Sequence, residues 1–378
     1  MKRPTTSMKI YSPTAILSLF LCVVAFVLVA GCEKPNAEKP KTILILTPET
    51  GPASEFARYS RMGFELAVAE MEENALQNGS LKVVYADSKS NPRDGLAALN
   101  QKLLTDKPAV IISQLSSVTS AIKQRALREG IPVIANAVAA PRVADPSKGI
   151  FRVFPTSTQV SHIAASTLSE MEAESVAIVY VNDEYGVGSL NTFEEAVKGK
   201  DLQLLHSEAY QIVERDFRIQ WARILQLDPE AVFVVGYGPG YIAVLQQLAE
   251  SDYSGIIMTD FTLTAPPVYK TTNALPGNTL VLSPIILDSF KKMVEGSFSD
   301  PAYYINIASA YDSVKMAISA IEKSDSKDVS VTDAMEEAII NHGSFGDGLA
   351  FDQNGDLKIT LEVNTLDNIR KQTQSDEE

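Results

Sequence analysis

The chain has 378 residues, of which 45% are hydrophobic and 21% are charged, and its formal net charge is −14 at pH 7. This length exceeds one ordinary domain core, so we expect two lobes, and the composition is that of a folded globular protein. Residues 1–31 contain Lys2, Arg3 and Lys9 and no acidic residue, so the rest of the chain is more acidic still. An acidic surface repels nucleic-acid phosphates, and we therefore expect no nucleic-acid partner.

The N-terminus has the order of an export signal. Basic residues precede an apolar run from Ala15 to Ala30, and Leu28-Val29-Ala30-Gly31-Cys32 resembles the bacterial lipobox, whose cysteine is acylated before cleavage. We expect residues 1–31 to be a lipoprotein signal peptide and Cys32 to carry the lipid. The alternative is an uncleaved anchor, because the apolar run is about as long as a short membrane span. Both alternatives place the body outside the cytoplasm, and the first attaches it to the periplasmic or outer face of a bacterial membrane.

The only cysteines are Cys22 and Cys32, so the mature body is expected to fold without a disulfide. Its stability must then come from burial of apolar side chains. Residues 32–41 are polar and contain two prolines, which is typical of an extended, solvated tether.

From Thr42 onward, short apolar runs alternate with amphipathic stretches. Runs without polar alternation are typical of strands buried on both faces. They predict eight strands: Ile43–Leu46, Leu81–Ala86, Ala109–Ile112, Pro132–Ala135, Val176–Val181, Ala231–Val235, Gly255–Met258 and Thr279–Leu282. The alternation predicts an α/β fold with parallel sheets covered on both faces.

The intervening helices have readable starts. Ser54–Glu73 carries one apolar stripe, Asn91-Pro92 caps a helix over Arg93–Leu104, and Asp300-Pro301 begins a long helix through Ile321. Near the end, Leu349–Phe351 and Leu357–Val363 flank an Asn-Gly turn, which predicts a hairpin. Residues 369–378 are expected to be an acidic tail.

Several short motifs in this order resemble the type I periplasmic binding proteins of the branched-chain amino-acid transporter class. The motifs are Thr50-Gly51-Pro52, Asp87 with Asn91-Pro92, Ser116-Ser117-Val118-Thr119, Gly130-Ile131-Pro132-Val133-Ile134, Asn182-Asp183-Glu184-Tyr185-Gly186, Arg215-Asp216-Phe217, Ala310-Tyr311-Asp312-Ser313-Val314 and Phe351-Asp352-Gln353-Asn354-Gly355-Asp356. Each motif is weak alone, but their order and spacing together are specific, and they span essentially the whole mature body.

The resemblance implies two Rossmann-like lobes with parallel central sheets joined by a three-crossing hinge. Lobe 1 would comprise residues 42–154 plus 284–345, and lobe 2 residues 155–283 plus 346–368. The crossings near Phe154, Ser283 and Phe345 would act as hinges. Ligands in this family bind in the crevice beyond the carboxyl ends of the strands, where open α/β sheets generally bind them.

Ser116 and Ser117 are the first candidates for ligand binding. They lie between a predicted strand and a predicted helix, where free N–H groups and hydroxyls form an anion cradle, although helix capping alone explains serine there equally well. By the resemblance, the matching serine holds the ligand carboxylate. Tyr185, Tyr237 and Asp260 follow predicted strands of lobe 2. The tyrosines would close over the ligand or merely pack, and Asp260 would either pair with a ligand ammonium or form an Asx turn or a cap for the helix after Thr264.

One position departs from the family pattern. Amino-acid binders of the family carry a threonine in the loop after the fourth strand, where this chain has Ala139. A hydroxyl is therefore missing where an α-amino acid would use one, so an aromatic carboxylate or an amide is as reasonable a ligand as an amino acid.

No catalytic or metal-binding pattern is evident. His162, His206 and His342 are far apart, residues 352–356 lack the glutamate that would complete a calcium loop, and no nucleophile elbow or phosphate loop occurs. We expect no enzyme and no cofactor. We expect a solute-binding lipoprotein of an ABC transporter that captures a small amino acid or carboxylate-type ligand, with the permease and the membrane as partners. The alternatives are a ligand sensor subunit for a regulator and an envelope interaction protein that kept the fold without a solute.

Overall fold

A computed structural model describes residues 40–74, 81–265, 268, 274–299 and 302–375. The expected signal peptide, most of the tether and Cys32 lie outside these residues. Among the described residues, no helix combines the length and the apolarity that crossing a membrane would require.

Thirteen strands run through the described residues. In chain order they are β1 (Lys41–Thr47), β2 (Leu81–Asp87), β3 (Val110–Gln114), β4 (Val133–Asn136), β5 (Ile150–Val153), β6 (Ser175–Val181), β7 (Gln203–Tyr210), β8 (Ala231–Val235), β9 (Ile256–Thr259), β10 (Leu280–Pro284), β11 (Ile339–Ile340), β12 (Leu349–Ala350) and β13 (Leu361–Thr365). All eight strands predicted from apolar runs are present with bounds shifted by at most two residues. The sequence prediction missed β5, β7 and the two-residue β11.

Two sheets dominate. The first is entirely parallel with the order β2-β1-β3-β4-β5, and the second has the order β13-β10-β9-β8-β6-β7, in which only the edge strand β13 is antiparallel. The central strands are buried on both faces, as their unbroken apolar runs predict: Ile43, Leu44, Ile45 and Leu46 have no exposed surface.

The helices cover the faces of these sheets. Within the described residues they are α1 (Ser54–Asn74), α2 (Pro92–Thr105), α3 (Ser116–Glu129), α4 (Ser157–Glu170), α5 (Glu184–Ala196), α6 (Arg218–Gln226), α7 (Gly238–Ala249), α8 (Asp288–Ser297), α9 (Tyr304–Lys327), α10 (Val331–Met335) and α11 (Leu366–Ser375). The predicted cap is confirmed, because the Asn91 side chain accepts from the N–H groups of Arg93 and Asp94. Although α9 follows the second sheet along the chain, it packs on α1 and on β3, β4 and β5 of the first sheet.

The predicted C-terminal hairpin is wrong. Its turn forms, because Asp352 Oδ1 accepts from the N–H groups of Asn354 and Asp356 at 2.8 and 3.0 Å. However, only an isolated bridge between Phe351 and Leu357 joins its arms in the described chain. Instead, β12 pairs with β11, and β13 adds to the edge of the second sheet beside β10. A strand that pairs with an existing sheet forms a full row of backbone hydrogen bonds. An isolated two-stranded hairpin in water is only marginally stable by comparison.

Two helix boundaries also differ from the sequence prediction. The long helix begins at Tyr304 and continues to Lys327, beyond the predicted end at Ile321, while its predicted start at residues 300–301 lies outside the described residues. The acidic tail expected from residue 369 is helical as far as Ser375. Leu366, at the start of this last helix, is fully buried, so an apolar contact fixes a segment whose composition is otherwise that of a solvated tail.

The sheet order places one crevice in each sheet. In the first sheet the order reverses between β1 and β3, and in the second between β6 and β8. Ligands bind open α/β sheets at such switch points, beyond the carboxyl ends of the strands. Ser116 follows β3, Tyr185 follows β6 and Tyr237 follows β8, so three of the predicted site residues lie at these two reversals.

Candidate functional site

A cavity lies where loops that follow strands of both sheets come together. The cavity has a volume of about 60 Å³, enough for a small organic molecule or a few waters. Its walls are mostly aromatic or aliphatic, and no charged side chain of the described part of the chain is among them. The lining residues are Phe56, Leu115, Ser116, Ala137, Ala139, Phe154, Tyr185, Tyr237, Phe261, Thr262, Tyr303 and Asn306.

Ser116 is the first residue of α3, and its side chain borders the cavity. The first N–H groups of a helix have no partner within the helix, so the start of α3 supplies hydrogen-bond donors. Ser116 Oγ accepts from the N–H of Ala140 at 3.3 Å, which leaves its own proton to donate. The capping alternative does not hold for this residue, because Leu115 occupies the cap position and makes no capping hydrogen bond. Ser117, in contrast, is partly buried and does not line the cavity.

Three lining residues have backbone conformations that L-residues seldom adopt. Leu115, Ala137 and Tyr303 have φ angles of 69°, 49° and 52°. Such conformations cost free energy and persist only where the surrounding structure imposes them, and they concentrate at ligand sites. Leu115 directly follows β3, Ala137 directly follows β4, and Tyr303 directly precedes α9. Three separate segments of the chain therefore have a strained residue at the cavity.

Ala139 lines the cavity, as the resemblance to the family predicts, and its side chain is only a methyl group. Its carbonyl is already used, because it accepts from the N–H of Ser157 at the start of α4. The loop that carries it therefore offers the cavity neither a hydroxyl nor a free Ala139 carbonyl.

Tyr185 and Tyr237 both line the cavity, and each hydroxyl donates to a carboxylate: that of Asp260 is buried, and that of Asp183 is partly buried. Tyr185 Oη donates to Asp260 Oδ2 and Tyr237 Oη donates to Asp183 Oδ2, both at 2.5 Å. Their rings are tilted by 36° with centroids 6.4 Å apart. The two tyrosines therefore form one wall whose polar tips are fixed by hydrogen bonds.

Asp260 is fully buried and does not line the cavity, so the predicted direct contact with a ligand ammonium is not available in this conformation. Besides Tyr185, its carboxylate accepts from Tyr241 Oη and from the N–H groups of Gly236 and Thr262, the last of which makes it the cap of the turn over Phe261–Thr264. The Asx-turn alternative is thus the one observed, with the acceptor two residues before the donor. Burial raises the pKa of Asp260 to about 6, against the opposing effect of its hydrogen bonds.

Asp183 has a similar environment. It caps α5 by accepting from the N–H of Gly186 at 3.0 Å, and burial raises its pKa above the ordinary aspartate value despite the hydrogen bond from Tyr237. Burial and the neighbouring carboxylates also raise the pKa values of Tyr185 and Tyr237 well above 10. At neutral pH both tyrosines are protonated, and they present phenol rather than phenolate oxygens to the cavity.

The rest of the wall is aromatic. Phe56 packs edge-on against Tyr237 at 6.3 Å and against Tyr303 at 5.4 Å, and Phe154 packs edge-on against Phe261 at 5.2 Å. Two of these pairs join a residue that follows a strand of the first sheet to one that follows a strand of the second. They favour a flat or apolar ligand body between them.

Sequence reasoning missed part of this site. Tyr303 and Asn306 were not predicted, because the long helix was expected to start three residues earlier. For the aromatic residues Phe56, Phe154 and Phe261, the sequence has no feature that distinguishes a side chain lining a cavity from one packed in the core. Phe261 and Thr262 adjoin Asp260, so proximity to a predicted site residue was the available signal. In the described part of the chain, no cluster of three His, Cys, Asp or Glu side chains is placed to hold a metal ion.

The two doubly wound sheets and the aromatic cavity at their strand ends define a protein with the type I periplasmic binding fold. Comparison with known proteins agrees, because residues 40–359 match the family described as periplasmic binding protein. The chain belongs to this family.

Individual relatives are distant. The Leu/Ile/Val-binding protein homolog 1 of Brucella melitensis is 23% identical over 325 residues, which cover 82% of this chain and 86% of the relative. Among solved structures, the leucine-binding protein LivK from Thermotoga maritima superposes with a TM-score of 0.76 at 21% identity and covers 87% of this chain and 96% of its own. A solute-binding protein from R. palustris in complex with benzoate has a TM-score of 0.76 at 17% identity, and the match covers 86% of this chain and 93% of the relative.

Proposed function

We propose that this protein is an extracytoplasmic solute-binding lipoprotein that captures a small amino acid or another small carboxylate-type ligand and delivers it to an ABC transporter permease. The observation that carries this proposal is the cavity. It combines the donor groups of Ser116 and the α3 N-terminus with an aromatic wall and the two tyrosine hydroxyls. This is the combination of an apolar pocket with a few fixed polar groups that small-molecule sites use.

Binding would proceed by closure of two lobes, residues 42–154 plus 284–345 and residues 155–283 plus 346–368, about crossings near Phe154, Ser283 and Phe345. The membership of the strands supports this division, because β1–β5 and β6–β10 lie in separate sheets while α9 packs on the first. A ligand that contacts residues of both lobes stabilises the closed state over the open one.

The sequence supports the proposed anchor, and the relatives support the proposed partner. Cys32 in its lipobox-like setting would carry the lipid and hold the body at the cell envelope, within reach of a permease. The solved relatives support a carboxylate ligand, since one is described as leucine-binding and another was crystallised with benzoate.

The test is thermal unfolding of the body from Glu33 onward with amino acids, aromatic and short-chain carboxylates and amides. A ligand at a hundred times its Kd adds about 2.7 kcal/mol to the free energy of unfolding, which raises Tm by several degrees. Ser116→Ala should weaken the response, and Ser326→Ala, an exposed serine on α9, should leave it unchanged. If no compound in the panel raises Tm, the solute-binding proposal fails and a protein partner in the envelope becomes the better explanation.

A further inference from the structure

The hydroxyl groups of Tyr185 and Tyr237 both donate to carboxylates, one buried (Asp260) and one partly buried (Asp183). A phenol has one proton to donate and retains lone pairs that accept. Because Tyr185 donates to Asp260 and Tyr237 donates to Asp183, each at 2.5 Å, only the lone pairs of these two oxygens remain for a molecule in the cavity.

Neither carboxylate is free to turn away. Asp183 is held by its capping bond from the N–H of Gly186, and Asp260 accepts four hydrogen bonds from two tyrosines and two backbone N–H groups. A buried carboxylate that accepts several bonds is costly to disturb. The direction of each tyrosine hydrogen bond is therefore fixed before a ligand arrives.

Besides Thr262, Tyr303 and Asn306, the polar groups of the cavity have two opposite hydrogen-bond directions. Ser116 and the first N–H groups of α3 donate, whereas Tyr185 and Tyr237 accept. Among the described residues, no charged side chain lines the cavity, so the direction of these hydrogen bonds, more than a direct ion pair, distinguishes one small ligand from another. A ligand without a donor would leave two buried phenol oxygens unmatched, and such a mismatch costs about ten- to a hundredfold in affinity.

We infer that the cleft selects small carboxylates that also bear an N–H or O–H hydrogen-bond donor and discriminates against matched molecules that lack it, with Tyr185 and Tyr237 as the acceptors and Asp183 and Asp260 as positioning residues. This inference rests on the proposed solute-binding function and specifies its ligand class. It includes amino acids and hydroxy- or amino-substituted aromatic acids, and it disfavours plain aromatic or aliphatic acids.

The experiment is calorimetric titration of the purified body with two matched pairs: leucine against 4-methylpentanoate, and 4-hydroxybenzoate against 4-fluorobenzoate. Within any pair that binds, the donor-bearing member should bind at least tenfold more tightly. Asp183→Asn then tests the cause. The asparagine oxygen can still cap α5, but its amide would donate to Tyr237, which releases the phenol proton towards the cavity. The donor preference should fall about tenfold.

Tyr237→Phe provides a second test should Asp183→Asn fold poorly, because it removes the acceptor outright and should also reduce the preference. The matched controls are Tyr253→Phe, whose hydroxyl bonds to Pro229 away from the cavity, and the exposed Asp216→Asn, and both should leave the preference intact. If the pairs bind without discrimination, or if Asp183→Asn and Tyr237→Phe both leave the preference unchanged, the inference is wrong while the solute-binding function stands. If a carboxylate without a donor binds while leucine and 4-hydroxybenzoate do not, the inference is also wrong. If nothing in the wider panel of amino acids, carboxylates and amides binds, both fail.

Discussion

Gly188 in α5 lies directly against the ring of Pro141. A β-carbon at position 188 would be 2.4 Å from Pro141 Cδ, a separation that real atoms do not tolerate. Pro141 follows β4 of the first sheet through the loop of Ala139, whereas α5 follows β6 of the second and begins with Glu184 and Tyr185. The absence of a side chain at Gly188 therefore permits the close approach of two segments that both border the cavity.

Gly188→Ala should consequently weaken ligand binding. The added methyl group would force α5 and the Pro141 loop apart, and overpacking of this kind typically costs about 1–3 kcal/mol. If the closed conformation alone has this contact, the variant should bind the best ligand about tenfold more weakly and scatter X-rays as a more open particle.

The control is Gly296→Ala in α8, since a β-carbon there meets nothing within 4 Å. This variant should bind and scatter like the parent protein. Unchanged affinity in Gly188→Ala would show that the contact is not part of the binding conformation.

The preference for donor-bearing ligands should decline in acid. The pKa of Asp260 is raised by burial to about 6, so its carboxyl is ionised above that pH and takes up a proton below it. The protonated carboxyl can donate to Tyr185 Oη, which frees the tyrosine proton and removes the acceptor. We expect the affinity ratio of 4-hydroxybenzoate to 4-fluorobenzoate to decrease several-fold between pH 7 and pH 5.

This measurement is best made in Tyr237→Phe, because the pKa of Asp183 is also raised by burial and would contribute through Tyr237. The other groups around Asp260, Tyr210, Tyr241 and Tyr303, have pKa values raised above 10 and stay neutral throughout. A ratio that does not change with pH would argue against Asp260 as the positioning residue of Tyr185.

Arg152 ties the cavity loop to the turn over residues 352–356. Its guanidinium donates to Asp356 Oδ1 at 2.7 Å and to the Ala140 carbonyl at 2.6 Å, and its side chain is 3% exposed while that of Asp356 is 23% exposed. Asp356→Ala should lower the free energy of unfolding by about 2 kcal/mol, because it leaves a buried cation unpaired, although water can partly replace the carboxylate. Arg152→Met should cost less, since the remaining carboxylate reaches solvent.

Urea unfolding followed by tryptophan fluorescence can measure both, because the single tryptophan, Trp221, is buried and donates to the Val244 carbonyl. The reverse ranking of the two variants would mean that packing of the arginine stem, and not its charge, is what the site needs.

Asp312 in α9 gives the protein a pH-dependent stability. Its buried carboxylate accepts from the N–H of Ser344 at 2.9 Å and from Ser344 Oγ at 2.7 Å, and burial raises its pKa from 3.8 to about 6. The folded state then holds a proton that the unfolded chain releases, so this group lowers the free energy of unfolding as pH rises from about 4 to about 6.

Asp312→Asn should reduce the loss of unfolding free energy between about pH 4 and pH 6 by at most about 3 kcal/mol. Asp288→Asn, which changes an exposed residue, should leave that loss as it is in the parent protein. Urea denaturation at intervals between pH 4.5 and 7.5 provides the comparison. A parallel pH profile for Asp312→Asn would contradict the assignment. The remaining slope in the variant should come largely from Asp260, whose raised pKa acts in the same direction.

The strands and most helices were predictable from local pattern. The run Ala231–Val235 became β8 without a change of boundary, and Asn91-Pro92 started α2, because burial on both faces and helix capping are imposed by residues adjacent in sequence. Strands β5, β7 and β11 were missed. In β7, at the sheet edge, the polar residues His206, Ser207 and Glu208 interrupt the apolar ones, so no continuous apolar run marks it.

The site was predictable as a set of loops but not as a set of contacts. Ser116, Ala139, Tyr185 and Tyr237 line the cavity because each follows a strand at the carboxyl edge of its sheet, a relation that strand order in sequence already indicates. Asp260 obeys the same rule, yet its carboxylate points into a ring of buried donors behind Tyr185. Nothing in the local sequence distinguishes these two orientations.

The sequence by itself determined which segments become strands and helices, and that their polar residues gather at one edge of each sheet, because apolar periodicity and capping act over a few neighbouring residues. Only the tertiary structure decided that β13 completes the second sheet, that Tyr303 and Asn306 enter the cavity, and that two aspartates accept hydrogen bonds from the hydroxyls of two tyrosines. These outcomes depend on which groups meet across long stretches of chain, where burial makes every unmatched hydrogen bond costly and so selects one arrangement of partners.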